Sequence, residues 1–330
     1  MEYYLGIDVG ATSFKVGVID DKNEIVYQNS IPTSYKQTND EALNNLSMLI
    51  DDAASKYKIE SVGVGLPGVV KNGKIKMSPN LPYWKNIDFG TYLRNKYIFP
   101  IAVDNDANAA AFAELIVGNG KELDNFVYIT LGTGVGGAIV INKNIYRGNK
   151  GGAGEIGHII FDPIKTNIKN KYRNGALETM LGKQGIIDSY NELNKNDNAN
   201  KIDKIDVKHI ADNANKGDKI ATQTISIAGV QLGIAIATIN HILDIGNFII
   251  GGGISQSELL IKTAKFVARE HSLPTVSKVT ILRAKYSQNT GIIGAALLGK
   301  TQGKIHITTT KRTSSSVFGR NFTRTGKRKL

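Results

Sequence analysis

Two stretches of the chain share one order of elements. Tyr3–Val9 reads as a buried strand, Gly10 opens a turn, Lys15–Ile19 returns as a second strand, and the polar turn Asp20–Asn23 leads to a third over Glu24–Tyr27. The order begins again at Phe126–Leu131, passes the glycine-rich stretch Gly132–Gly137, returns over Ala138–Ile141 and turns at Asn142-Lys143-Asn144. Such a repeat implies two lobes with related cores, and 330 residues are enough for two domains at roughly 100–200 residues each. The boundary is expected near Val117. That gives a smaller N-terminal lobe over 1–117, a larger C-terminal lobe over 118–300 and a tail over 301–330.

Other elements are placed by periodicity. Leu43, Leu46, Ile50, Ala53, Ala54 and Tyr57 recur at helical spacing, and Thr38 with Glu41 forms a capping-box pattern at the start. Ser61–Gly65 is a short strand ending in Leu66-Pro67-Gly68. Ile101–Val103 is another, and Asn105-Asp106-Ala107 starts an Ala-rich helix that runs to about Val117. Asn191–Asp206 is expected as an exposed loop, Lys219–Leu243 as a helix, Phe248–Ile250 as a strand and Thr290–Lys300 as a closing helix.

Composition excludes several classes. Apolar residues make up 41%, enough for real cores, yet no uninterrupted apolar run reaches the roughly 18 residues of a membrane span. The strand that starts at Tyr3 reads as structure rather than as a secretory signal. The absence of cysteine rules out disulfides and thiolate metal sites and agrees with a reducing, cytoplasmic setting. The net charge of +12 suggests a nucleic-acid partner until its distribution is considered. Residues 301–330 hold eight Lys or Arg and no acid, leaving 33 basic against 29 acidic residues elsewhere. The Thr/Ser-rich tail lacks helical periodicity and has the composition of a disordered segment.

Five motifs carry chemistry. Asp8-Val9-Gly10-Ala11-Thr12-Ser13-Phe14-Lys15 is a turn between strands whose backbone N–H groups can cradle an anion, with Asp8 placed to hold Mg²⁺ through water or to serve as a structural hairpin residue. Leu131-Gly132-Thr133-Gly134-Val135-Gly136-Gly137 lets a phosphate approach the backbone. It is neither a Walker loop nor a dinucleotide fingerprint, since no Gly-Lys-Ser/Thr is present and it leads into a strand. Gly251-Gly252-Gly253 offers a flat surface for a base or ribose. Asp104-Asn105-Asp106 stands at a helix start, where the dipole is expected to keep a carboxylate ionised. Asp106 can then take a hydroxyl proton late in phosphoryl transfer, and Asn105 can both donate and accept. Gly154-Glu155-Ile156-Gly157-His158, with Glu178 downstream, suits a polyhydroxylated ligand.

Together, Asp8–Lys15, Gly65–Gly68, Asp104–Asn108, Leu131–Gly137, Gly154–His158 and Gly251–Gly253 resemble ROK family sugar kinases over roughly residues 3–300. The resemblance implies an α/β, two-lobed actin-like ATPase (ribonuclease H-like) fold with the active site in the interlobe cleft. By that likeness Asp106 is the catalytic base. Gly68, Asn80, Asn105, Asp106, Glu155, His158 and Glu178 contact the sugar. Asp8, Gly10, Thr12, Lys15, Gly132, Thr133 and Gly134 serve Mg·ATP, and Gly252 and Gly253 lie near adenosine. A homodimer is also implied. Two departures stand out: Gly10-Ala11 replaces a usual glycine pair, and Lys169-Asn170-Lys171-Tyr172-Arg173-Asn174-Gly175-Ala176-Leu177-Glu178 stands where most members carry a cysteine zinc segment. Without the thiolates no structural zinc is expected, and Tyr172, Arg173 or Asn174 is a candidate to orient His158 instead.

The reading that follows is an ATP-dependent hexose kinase, glucose first, with N-acetylmannosamine next because some kinases of that sugar also lack the zinc site, and fructose or allose behind. A sugar-responsive regulator needs a DNA-binding domain ahead of the first strand, for which a start at Tyr3 leaves no room. A nucleic-acid role for the tail ranks last, because Phe318 and Phe322 sit in no recognisable module.

Overall fold

Every strand of the first repeat has a counterpart in the second. The computed structural model describes residues 1–34, 36–78, 81–164, 174–194, 205–286 and 289–301. Expectations for Asn80, for Lys169–Arg173 and for the tail beyond 301 lie outside them.

The first half runs β1 (Tyr3–Val9), β2 (Ser13–Ile19), β3 (Ile25–Pro32), α1 (Asn39–Lys56), β4 (Ile59–Leu66), β5 (Val70–Lys71), β6 (Lys74–Ser78), β7 (Leu81–Asp88), α2 (Phe89–Lys96), β8 (Ile101–Asn105) and α3 (Asp106–Ile116). The second runs β9 (Phe126–Leu131), β10 (Val135–Ile141), β11 (Asn144–Tyr146), α4 (Glu178–Leu181), α5 (Lys183–Asn194), α6 (Val207–Asn215), α7 (Lys219–Leu243), β12 (Asn247–Gly251), α8 (Glu258–His271) and β13 (Thr280–Arg283). A last helix, α9, spans 290–301.

One five-stranded sheet has the order β3-β2-β1-β4-β8 and the other β11-β10-β9-β12-β13. In each, the first three strands form an antiparallel meander and the last two join in parallel. A third, three-stranded sheet, β5-β6-β7, is inserted in the first half. Its Trp84 fills the first core against Phe14 and Phe89, with ring centroids 6.0 and 5.3 Å away. The capping box of α1 forms as expected, Thr38 and Glu41 each bonding the other's backbone.

The helices that follow the two sheets cross. α3 leaves the first sheet and packs on β9 and β10 of the second, while α9 leaves the second and lies on the first. Gly6 of β1 and Gly63 of β4 permit this approach. A β-carbon on Gly6 would stand 2.0 Å from the Ile292 carbonyl oxygen, and one on Gly63 would stand 1.6 Å from that of Ala295. Gly294 of α9 meets the Ala109 carbonyl of α3 in the same way, at 1.8 Å. α7 is long and apolar enough by composition to cross a membrane. Here it is the spine of the second core, burying Ile225, Leu232, Ile236 and Ile239.

Two expected boundaries differ. The glycine loop closes at Gly134, because Val135–Gly137 already pair with Leu131–Ile129 as strand β10. Asn191–Asn194 are not loop but the last turn of α5, continuing the amphipathic pattern that buries Ile186 and Tyr190.

Candidate active site

Asp106 stands where the halves meet. Asn105 caps α3, its Oδ1 accepting from the Asn108 N–H at 3.0 Å, while its Nδ2 donates to the Gly68 carbonyl at 3.0 Å. Gly68 holds φ +90, a value that favours glycine. The cap thus ties the Leu66-Pro67-Gly68 turn to the helix start. Gly65 allows close contact on the other side, since its β-carbon would lie 3.2 Å from Asp106 Cα.

A cleft of about 310 Å³ opens over this point. Around it stand twelve of the expected residues: Asp8, Gly10, Thr12, Gly68, Asn105, Asp106, Gly132, Thr133, Gly134, Glu155, His158 and Glu178. A second cavity of about 460 Å³ shares Asp8, Asp106, Ala107 and Thr130 with it and is completed by Lys15, Gly252, Gly253, Thr290 and Gly291. A third, of about 450 Å³, meets the first at Gly132 and Thr133 and the second at Gly253, and is walled by α6 and the Gly253–Gln256 turn. Every expected site residue among those described therefore borders a connected set of spaces. A larger cavity, about 850 Å³, lies elsewhere, against β8 and α2. It contains none of these residues, and size alone does not make it the site.

Local structure explains each contribution. The Gly10–Ser13 turn closes by a Gly10 N–H to Ser13 carbonyl bond at 2.8 Å, and Thr33 Oγ1 donates to the Gly10 carbonyl at 3.0 Å. Asp8 lies opposite Lys15 in the β1–β2 register. The Gly132–Gly134 turn closes at 3.0 Å between the Gly132 nitrogen and the Gly134 oxygen. A 3-10 turn over Ile156–His158 presents His158, with Nε2 3.8 Å from Glu155 Oε2. Gly157 lets this turn press on β10, since a β-carbon there would stand 2.1 Å from the Val135 oxygen.

Electrostatics overturns one expectation. The Asp106 carboxyl is pushed up to about 7, first by burial, then by the negative charges of Asp8 and Glu155. Bonding from the Ala107 N–H, 2.8 Å from Oδ1, opposes this. A helix N-terminus contributes roughly 0.3–1 kcal/mol, less than the desolvation of a carboxylate costs, so the dipole does not keep Asp106 fully ionised at neutral pH. Burial also raises Asp8, with Lys15 opposing, and raises Glu155, with His158 opposing.

Several bordering residues carried no sequence signal strong enough to find them. Thr130 is shared by the first two cavities but looks like an ordinary strand residue. Gly291 leaves room for Asp8, whose Cγ would be 2.6 Å from an added β-carbon. Its position at a helix start was the available clue.

Two sheets of one strand order, helices exchanged between them and a polar cleft at the crossing define a two-lobed actin-like ATPase fold. The ROK family model matches residues 4–302, and the chain belongs to the ROK family. A glucokinase of Halalkalibacterium halodurans is 33% identical over 316 residues, covering 91% of this chain and 96% of that enzyme. The crystal structure of a ROK family glucokinase from Streptomyces griseus in complex with glucose and AMPPNP matches with TM-score 0.80 at 27% identity, covering 90% of this chain and 99% of that one. A ROK family transcriptional regulator, a homolog of the E. coli MLC protein, matches with TM-score 0.83 at 25% identity, covering 94% and 81%.

Proposed function

We propose that this chain is an ATP-dependent hexose kinase that transfers the γ-phosphoryl group to the 6-hydroxyl of an aldohexose, glucose first. The observation that supports this most is the position of Asp106. Asp106 lines both the cleft with Asn105, Glu155 and His158 and the cavity with Lys15, Gly252 and Gly253. A base there reaches a hydroxyl on one side while a phosphoryl group arrives from the other. A carboxyl raised to about 7 is matched to proton transfer near neutral pH.

The roles divide along the cavities. Asn105, Glu155, His158 and Glu178 supply donors and acceptors to sugar hydroxyls. The turns at Gly10–Thr12 and Gly132–Gly134 present backbone to phosphate, and the space along α6 takes the nucleoside. Magnesium is held by one or two carboxylates together with substrate phosphates, and Asp8, which lines both the cleft and the cavity with Lys15, Gly252 and Gly253, fits that donor set. When bound, the ion supplies charge neutralisation to the phosphates. Reading the two sheets as lobes parted near Val117, with α9 crossing back to the first, gives a cleft that closes on its ligands in a cytoplasmic, dimeric enzyme.

A regulator built on the same fold needs sugar binding but no base. The presence of Asp106, with the surroundings that tune it, favours catalysis. A coupled assay of ADP release with glucose, mannose, fructose, N-acetylglucosamine and N-acetylmannosamine tests the reading. Sugar-dependent ADP release, fastest with glucose, is expected. Binding of sugar with no turnover on any of the five would favour a sensor, and N-acetylmannosamine as the fastest substrate would replace the glucose assignment.

A further inference from the structure

Asp104 is a carboxylate for which the proposed chemistry has no use. It is 4% exposed, precedes Asp106 by two residues and does not border the cleft. Its Oδ1 accepts from the Asn105 backbone N–H at 2.8 Å and from Asn108 Nδ2 at 3.0 Å. Its Oδ2 accepts from Arg147 Nε at 2.9 Å and also from Arg147 Nη2. Arg147 Nη1 donates to the Ile145 carbonyl at 3.3 Å, so the guanidinium is held on both sides.

The pair joins two parts of the chain that are far apart in sequence. Asp104 lies in β8 of the first sheet, and Arg147 follows β11 at the edge of the second. Through Asn105 and Asn108, Asp104 grips the first turn of α3, from which Asp106 projects. Arg147 begins the segment 147–154 that delivers Glu155 and His158. That segment is pinned to the first half as well: Lys71 Nζ donates to the Asn149 carbonyl at 3.0 Å, and a β-carbon on Gly151 would stand 2.3 Å from the Val70 oxygen.

Exposed ion pairs contribute little. This one differs because the carboxylate is buried, and a buried charge that loses its partner is left uncompensated. A guanidinium fork also fixes angle as well as distance, which an ammonium does not. We propose that the Arg147–Asp104 pair is a positioning device that sets the spacing between the Asp106 end of α3 and the arm bearing Glu155 and His158. Both residues then govern sugar turnover without touching sugar or nucleotide. The inference rests on the kinase reading with Asp106 as base.

The test uses the full chain and four variants. Arg147→Met strands the Asp104 charge. It is expected to lower the melting temperature and to cut kcat/KM for the sugar by about tenfold or more, with KM for ATP within about twofold of the parent. Arg147→Lys keeps the charge and loses the fork, and should remain impaired in sugar kcat/KM by about tenfold. Loss of folding alone could explain the first result, so Asp104→Asn/Arg147→Met is decisive. Removing both charges relieves the stranded carboxylate, and the melting temperature should return close to the parent's. Sugar kcat/KM should stay about tenfold down, with a matching weakening of sugar binding by calorimetry. If turnover returns together with the melting temperature, the pair is structural only and the inference is overturned. Asp106→Asn separates the two failures: parental turnover in that variant would overturn the base assignment itself, and the inference with it, whatever the Arg147 variants do.

Discussion

The carboxylate of Glu178 closes beneath the glycine turn, its Oε2 accepting a hydrogen bond from the Val135 N–H at 3.1 Å. It fits because Gly134 has no side chain, and a β-carbon there would lie 2.1 Å from that oxygen. Gly134→Ala should therefore displace Glu178 and break its bond to Val135, a loss on the order of 1 kcal/mol. Steady-state kinetics should show the sugar KM raised about fivefold to tenfold. Unchanged KM values for sugar and ATP would remove Glu178 from the site.

Asp106 predicts opposite effects of pH on activity and on stability. The folded-state carboxyl titrates at about 7 against an unfolded value of about 3.9. Below about 7 the base is protonated, so kcat/KM should fall on the acid side of neutrality. In the same interval the folded state binds the extra proton, so the penalty of Asp106 on folding grows as pH rises from about 4 through about 7. Asp106→Asn should therefore melt higher than the parent at pH 8, by a smaller margin at pH 5. A stability difference independent of pH would show that Asp106 is not buried as described.

The crossing of α3 and α9 leaves no room at Gly294, where a β-carbon would stand 1.8 Å from the Ala109 carbonyl oxygen. The atoms it would meet, the Ala109 carbonyl and the Ala110 nitrogen, are all backbone and cannot swing aside. Gly294→Ala should destabilise by about 1–3 kcal/mol, read as a drop in melting temperature, and should slow turnover by shifting the helix that carries Asp106. Parental stability would mean that the helices are further apart than described.

How much of the fold and site is legible in the sequence follows from how far apart the determinants lie. The Thr38–Glu41 capping box and the span of α7 are written in neighbouring residues and were legible. So was the repeat of strand and glycine turn, which the two identical sheet orders bear out. The inserted sheet β5-β6-β7 has little local signature: β5 is only two residues long, too short for an alternating pattern to flag the Asn72-Gly73 hairpin. The glycine loop is shorter than its composition suggests, because Gly136 and Gly137 look like loop residues until β9 pairs with them. The Asp106 shift is not written near it in sequence, because the burial and the charges of Asp8 and Glu155 that cause it come from other elements. The Asp104–Arg147 pair, 43 residues apart, left no local trace.

Closure should accompany binding. With the Glu155–His158 arm held to the first half through Arg147, the parts free to approach are the Asn105–Asp106 end of α3 and, on the second half, Glu178 and the Gly132–Gly134 turn, so bound sugar and nucleotide draw these together and exclude water from the phosphoryl donor. Small-angle scattering should record a smaller radius of gyration with saturating sugar and a non-hydrolysable ATP analogue. An unchanged radius of gyration in an active enzyme would count against closure.

The most direct measurement is the turnover of Asp106→Asn. The substitution keeps size and hydrogen-bonding capacity but removes the proton acceptor. Turnover should fall by about 10²-fold or more, with sugar affinity by calorimetry within about threefold of the parent. Turnover within about tenfold of the parent, roughly 1.4 kcal/mol in the barrier, would contradict the assignment of Asp106 as the base and the account of the cleft built around it.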